Sequence, residues 1–164
     1  MIKNFIKKIS ILKRKILYKK ISYSYGGVDL LIDYIFKNKK KGLYIDVGAQ
    51  HPVSNNNTYL LYERGWRGVN IDLDIENIRL HNLARQNDLN LCEAISSKTE
   101  EVDMYYYHDK SPINTVEKVV ADRQKTKFKQ IKKIKTTTLN KILVANDIKH
   151  INYLNIDVEG HEIH

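Results

Sequence analysis

The sequence predicts an α/β protein with a mostly parallel sheet flanked by helices, and three observations carry that reading. Apolar runs at 43–47, 68–72 and 151–157 each contain or end in an acid (Asp46, Asp72, Asp157). Stretches with helical spacing lie between the runs, joined by short connections, which is how parallel strands with crossover helices read. The first run opens into a small-residue pair, Gly48-Ala49. That pair is the mark of a strand entering a ligand-binding turn, where a ligand lies against the backbone.

Taken in order, residues 28–37 read as a helix through Val28, Leu30, Leu31, Tyr34 and Ile35. A charged turn at 37–42 leads to the first strand. Ser54 to Asn57 offer helix-start residues for a helix at 58–64, and Gly65 is its expected stop. The second strand is 68–72, followed by a helix at 75–86 and a third strand at 89–95. Residues 102–108, rich in Tyr, read as an added strand or hairpin arm. Residues 109–130 read as a loop with a surface helix, and 131–136 as a short strand. Thr137 or Thr138 caps a helix holding Leu139, Ile142 and Leu143. The last strand, 151–157, runs into Asp157-Val-Glu-Gly-His-Glu162.

With 164 residues, 42 % apolar and 29 % charged, the chain is long enough for one domain with a real core. The single Cys92 excludes an intramolecular disulfide framework, and its apolar neighbours predict a buried, inert thiol. No apolar run reaches membrane-spanning length and no secretory signal is evident, so a cytoplasmic setting is expected. The net charge of +9 is uneven: residues 1–41 hold 12 Lys/Arg and 2 acids, whereas 42–164 hold 16 and 17. Two parts are therefore expected, a basic helical segment at 1–41 and a domain at 42–164. Ile2, Phe5, Ile6, Ile9, Leu12 and Ile16 fall on one helical arc with lysines around them. Such a helix suits peripheral contact with an anionic membrane at its inner face. It lacks the interleaved Arg and aromatics of a nucleic-acid arm, so no nucleic-acid partner is expected.

The turn after Asp46 excludes one ligand class. A dinucleotide site wants G-x-G-x-x-G, but here Gly48 is followed by Ala49, Gln50, His51 and Pro52. A ligand without a pyrophosphate and with a cationic centre tolerates this turn. S-adenosyl-L-methionine is such a ligand, and Asp72 at the neighbouring strand tip suits its ribose diol. The three strand-end acids are expected to stand in register. No ligand spacing calls for a metal. Trp66, Tyr59 and Tyr62 read as packing.

Tyr44-Ile-Asp-Val-Gly-Ala-Gln-His-Pro52, Asn57-Thr-Tyr-Leu-Leu-Tyr62, Arg64-Gly-Trp-Arg-Gly-Val-Asn-Ile-Asp72, Ala94-Ile-Ser96 and Leu154-Asn-Ile-Asp-Val-Glu-Gly-His-Glu162 resemble, in that order, the FkbM family of S-adenosylmethionine-dependent methyltransferases. The resemblance runs from about Leu43 to the end. It implies a Rossmann-like class I methyltransferase fold and methyl transfer to a hydroxyl, commonly of a sugar or polyketide. Polysaccharide biosynthesis is the expected setting, with a sugar or glycan intermediate as acceptor. By position, Asp46, Val47, Gly48 and Ala49 would form the first cofactor loop, joined by Asn57 and Thr58. Asp72 would hold ribose, Ser96 would lie near adenine, and Asp157 would border both cofactor and acceptor. Asp157, Glu159, His161 and Glu162 are the candidate catalytic residues, with His51 a further candidate base. The family domain continues past the point where this sequence stops, so later strands are expected to be missing and the sequence to be a fragment. Two alternatives stand beside the enzyme: a non-catalytic remnant that keeps a cofactor half-site, and a nucleotide-dependent protein of another class, which the missing glycines disfavour.

Overall fold

The computed structural model describes residues 21–109, 111, 113–158 and 160–162. The basic helix expected at the N-terminus and Glu159 lie outside the described residues. A short 3-10 turn at Tyr25–Gly27 leads into α1 (Val28–Ile35), followed by β1 (Leu43–Val47), α2 (Tyr59–Glu63) and β2 (Arg67–Asp72). Next come α3 (Ile75–Ala84), β3 (Leu89–Cys92), β4 (Ala94–Ile95), β5 (Glu101–Tyr106), α4 (Lys118–Arg123), β6 (Gln130–Thr137), α5 (Leu139–Ala145) and β7 (Tyr153–Ile156).

Four strands form a parallel sheet in the order β3-β2-β1-β7. The pattern of the sequence produces it directly. Apolar residues on both faces of β1 and β2 demand cover on both sides, which only crossover helices supply. Ile45, Val47, Val69 and Ile71 pack on one face with Ile142 of α5. Tyr44, Trp66, Ile32 of α1 and Leu61 of α2 pack on the other. Trp66 is fully buried and meets Phe36 edge-on at 5.0 Å, so it is packing, as the sequence predicts. Each such buried side chain contributes about 1.5–3 kcal/mol relative to leaving it in water.

Helix boundaries follow local chemistry. The Asp74 side chain accepts from the Glu76 amide at the start of α3, and Thr138 Oγ1 accepts from the Lys141 amide at the start of α5. At α2 the work falls to Asn56, whose Oδ1 accepts from the amides of Thr58 and Tyr59. Gly65, at φ +90°, ends the α2 segment.

Two sequence expectations are corrected. Residues 89–95 are not one strand. β2 ends at Asp72, whose carbonyl takes the Glu93 amide, so past Glu93 the chain has no further β2 residue to pair with. It then pairs with β6 in a second sheet, β4-β6-β5, whose long antiparallel β5–β6 arm spans Glu101–Tyr106. Cys92 is exposed rather than buried, because β3 is an edge strand. Partial burial, then the charges of Asp72, Glu93 and Asp74, raise its thiol pKa, which disfavours the reactive thiolate.

β7 is the outer strand at the other edge among the described residues, with Leu154 and Ile156 41–42 % exposed. Among the described residues no helix is long and apolar enough to cross a membrane.

Candidate active site

Strand order reverses at β1, which lies between β2 and β7. Beyond the carboxyl ends of these strands the backbone parts, and ligands of open α/β sheets bind in such a crevice. A cleft of about 890 Å³, counting the space open at its mouth, occupies this position. Val47, Gly48, Asp72, Asp157 and His161 line it, and Ser111 and Asn114 supply a further wall.

Gly48 sits at φ +78°, and a Cβ there would lie 1.8 Å from the Asp157 carbonyl oxygen. The turn is therefore bare because the backbone just after β7 lies against it, not because a ligand does. Hydrogen bonds fix this approach: the Gly48 and Ala49 amides donate to Ile71 O of β2, and the Asp157 amide donates to Val47 O.

Asp72 and Asp157 flank Gly48 at one level, since Val47 pairs with both Ile71 and Ile156. Asp46 is paired with Asn70 and Asn155 and stands lower, so the three acids are not in register. Asp72 is 8 % exposed and lines the cleft. Its oxygens accept from the amides of Gln50 and Asp74, both at 2.8 Å, and from Asn77 Nδ2. Burial raises its pKa above the usual carboxylate range, and these hydrogen bonds oppose the rise without cancelling it.

Asp46 is 1 % exposed, and its carboxylate works beneath the cleft. It accepts from Thr58 Oγ1 at 2.7 Å, Asn155 Nδ2 at 2.8 Å and Asn56 Nδ2 at 3.3 Å. Asn57 binds Asn155 from above, so the loop at 55–58 is tied to both β1 and β7. The tie is completed by Arg85, a fully buried guanidinium at the end of α3. It donates to Pro52 O from Nε and Nη2, to Asn56 Oδ1 at 2.6 Å, to Thr58 Oγ1 at 2.8 Å and to Asn70 Oδ1 at 3.0 Å. Only a planar fork with donors on three nitrogens serves so many acceptors at once. His51 also has a structural role: its Nδ1 accepts from the amides of Val53 and Ser54.

At the other side of the cleft, His161 Nδ1 lies 2.6 Å from Glu117 Oε1, and its Nε2 lies 3.0 Å from Ser96 Oγ. A carboxylate taking the Nδ1 proton leaves Nε2 as an acceptor, the tautomer a general base requires. Ser96 is 7 % exposed and contacts the cleft through this histidine. Asp157 sits at the exposed rim. Partial desolvation, then the charges of Glu162 and Asp46, raise its carboxyl pKa. Glu162 closes the local turn, its Oε1 accepting from the Val158 and Gly160 amides. Partial burial pushes its pKa up, but these amides prevail and hold it low. Ser111 is 6 % exposed, and its Oγ has no hydrogen-bond partner among the described residues although it belongs to the cleft wall. A buried orphan hydroxyl costs free energy unless a ligand or water satisfies it.

A family model for the methyltransferase FkbM domain matches residues 46–164. The chain belongs to the FkbM methyltransferase family. Comparison with curated proteins and with solved structures gave no match. The FkbM domain thus takes in both walls of the cleft, from Gly48 to the histidine at 161. Of the residues read from sequence, the fold brings Val47, Gly48, Asp72, Asp157 and His161 to the cleft, with Ser96 one bond behind. Ala49, Asn57 and Thr58 support the loop, as Asp46 does, and none of the four is a cleft-lining residue. Sequence reasoning missed Arg85, Ser111 and Glu117. A buried cation carries no local signal, and Glu117 lies 44 residues before the histidine it orients.

Proposed function

We propose that this FkbM methyltransferase transfers a methyl group from S-adenosyl-L-methionine to a hydroxyl of a sugar in a glycan, in polysaccharide biosynthesis. One observation carries the reading: Asp72, Ser111 and the Glu117–His161 pair converge on a single cleft at the strand-order reversal. The residues present fit the cofactor. Acceptor-only carboxylate oxygens at Asp72 suit a ribose diol, and the orphan Ser111 hydroxyl suits a polar edge of a base. The Asp157 carboxylate suits the cationic end.

S-adenosyl-L-methionine supplies a methyl already carried on a good leaving group. What remains for the chain is alignment and deprotonation. Gly48 and the Asp157 backbone packed against it set the floor against which the ligand is aligned. The acceptor hydroxyl has a high pKa and gains from a base as its oxygen bonds to carbon. His161 Nε2 takes that proton, directly or through the Ser96 hydroxyl, and Glu117 keeps Nδ1 protonated and stabilises the imidazolium. Glu162, engaged with two amides, shapes the turn that presents His161.

A second reading, a half-site that binds cofactor without transferring methyl, is favoured by the exposure of Leu154 and Ile156 on β7, the outer strand of the sheet among the described residues. Incubation with methyl-labelled cofactor and cell-envelope glycans separates the two. Stable label in the glycan, lost in His161→Ala, supports the transferase. Cofactor binding with no label transferred to any glycan fraction supports the half-site.

A further inference from the structure

α1 has an apolar side that the domain does not use. Ile32, 4 % exposed, faces the core with Phe36 behind it. Val28, Leu31 and Ile35 stand on the outward side at i, i+3 and i+7, with Tyr34 beside them, and are 42–63 % exposed. Ile21 and Tyr25, shortly before the helix in sequence, are 61 % and 86 % exposed. A surface helix of a globular domain normally places charged residues there. Here the charges follow instead: Lys37, Lys39, Lys40 and Lys41 are exposed at the end of α1, with Lys37 Nζ 4.6 Å from the Tyr34 ring centroid. Residues 1–20 add eight Lys/Arg and no acid immediately before the stripe, whereas residues 42–164 are nearly neutral.

We infer that the outward face of α1 is a docking surface for an anionic lipid bilayer. Exposed aliphatic groups and a tyrosine enter the headgroup boundary while lysines on either side meet lipid phosphates, the two terms that govern interfacial binding. A second copy fits worse. An eight-residue helix offers far less than the ~1,200 Å² a stable interface buries, and two faces each flanked by lysines repel. The surface lies beside the loop that carries Asn56 and Thr58, because the Asn56 amide donates to Tyr23 O and Tyr23 packs on Tyr59 at 4.7 Å. Docking there places the cleft rim within reach of acceptors held at the membrane.

The test is sedimentation of the full chain with mixed phosphatidylcholine–phosphatidylglycerol vesicles against pure phosphatidylcholine vesicles. Two multiple variants accompany it, Leu31→Ser/Tyr34→Ser/Ile35→Ser and Lys39→Glu/Lys40→Glu/Lys41→Glu. All altered side chains are exposed, and circular dichroism melts check that both variants fold. The expected result is binding to anionic vesicles only, weakened by added salt and by at least about tenfold in each variant. Three results overturn the inference. The wild type does not sediment with anionic vesicles. It sediments equally well after the Leu31/Tyr34/Ile35 change, which makes residues 1–20 sufficient. Or it forms a dimer that this change abolishes, which assigns the face to a second copy.

Discussion

Replacing Arg85 by Met removes the fork that joins the Pro52 carbonyl, Asn56, Thr58 and Asn70 while keeping a chain of similar length. The Asn56 oxygen retains the amides of Thr58 and Tyr59, so it stays satisfied. Pro52 O loses both of its Arg85 donors, and Asn70 Oδ1 loses Nη1. Two buried acceptors left unpaired cost about 1–3 kcal/mol each. Removing a buried cation returns part of this, and losing the charge-assisted bonds to Thr58 and Asn56 takes more, so the net loss is about 3–5 kcal/mol. That is a large share of the roughly 5–15 kcal/mol that holds a domain together. Urea unfolding followed by circular dichroism measures it. Arg85→Lys restores the charge but not the fork and recovers less than half of the loss. A loss under about 1 kcal/mol for Arg85→Met, or full recovery with Lys, refutes the hub.

Three further outcomes follow from the same geometry. Gly48→Ala pays both for a left-handed backbone and for a carbonyl at 1.8 Å from the new Cβ. About 3 kcal/mol of destabilisation is expected, as the Asp157-to-Val47 bond yields, and a urea midpoint unchanged from wild type contradicts it. His81 is fully buried, its Nε2 has no partner among the described residues, and burial first of all lowers its pKa from 6.5 to about 4. The unfolded chain therefore binds a proton that the folded one refuses. Stability is complete above about pH 6.5 and falls by about 3 kcal/mol as pH drops to about 4. His81→Leu should flatten that slope in a pH series of melts, and an unaltered slope rules His81 out as its source. Glu117→Gln should cut methyl transfer by about ten- to a hundredfold while leaving cofactor affinity in place, read from kcat and from titration; an equal fall in affinity would make Glu117 a structural residue.

The strands were legible because burial on both faces leaves continuous apolar runs, as in 43–47 and 68–72. The start of α5 was written in its capping residue, Thr138, whereas the Asp74 cap of α3 came only from the structure. What local pattern could not show is where an element's partner stops. β3 breaks at Glu93 because β2 ends opposite it, and Cys92 is exposed because, among the described residues, β3 is the edge strand of its sheet. In the site, Asp72 and Asp157 were legible as strand-end acids. Asp46 was misplaced because it pairs with Asn70, two residues short of Asp72, which sets its carboxylate beneath the cleft rather than in it. Arg85 reads in sequence as an ordinary cation at the end of a helix. Its burial exists only once α3, β2 and the 52–58 loop have met.

The central claim is that this cleft holds S-adenosyl-L-methionine through Asp72. Isothermal titration of the folded chain with that compound, on wild type and Asp72→Ala, tests it most directly. Saturable one-to-one binding is expected in the wild type, with a loss of about ten- to a hundredfold in the variant, the worth of charge-assisted bonds to a diol. Absence of binding to a wild-type chain that melts cooperatively, or equal affinity in Asp72→Ala, would contradict it.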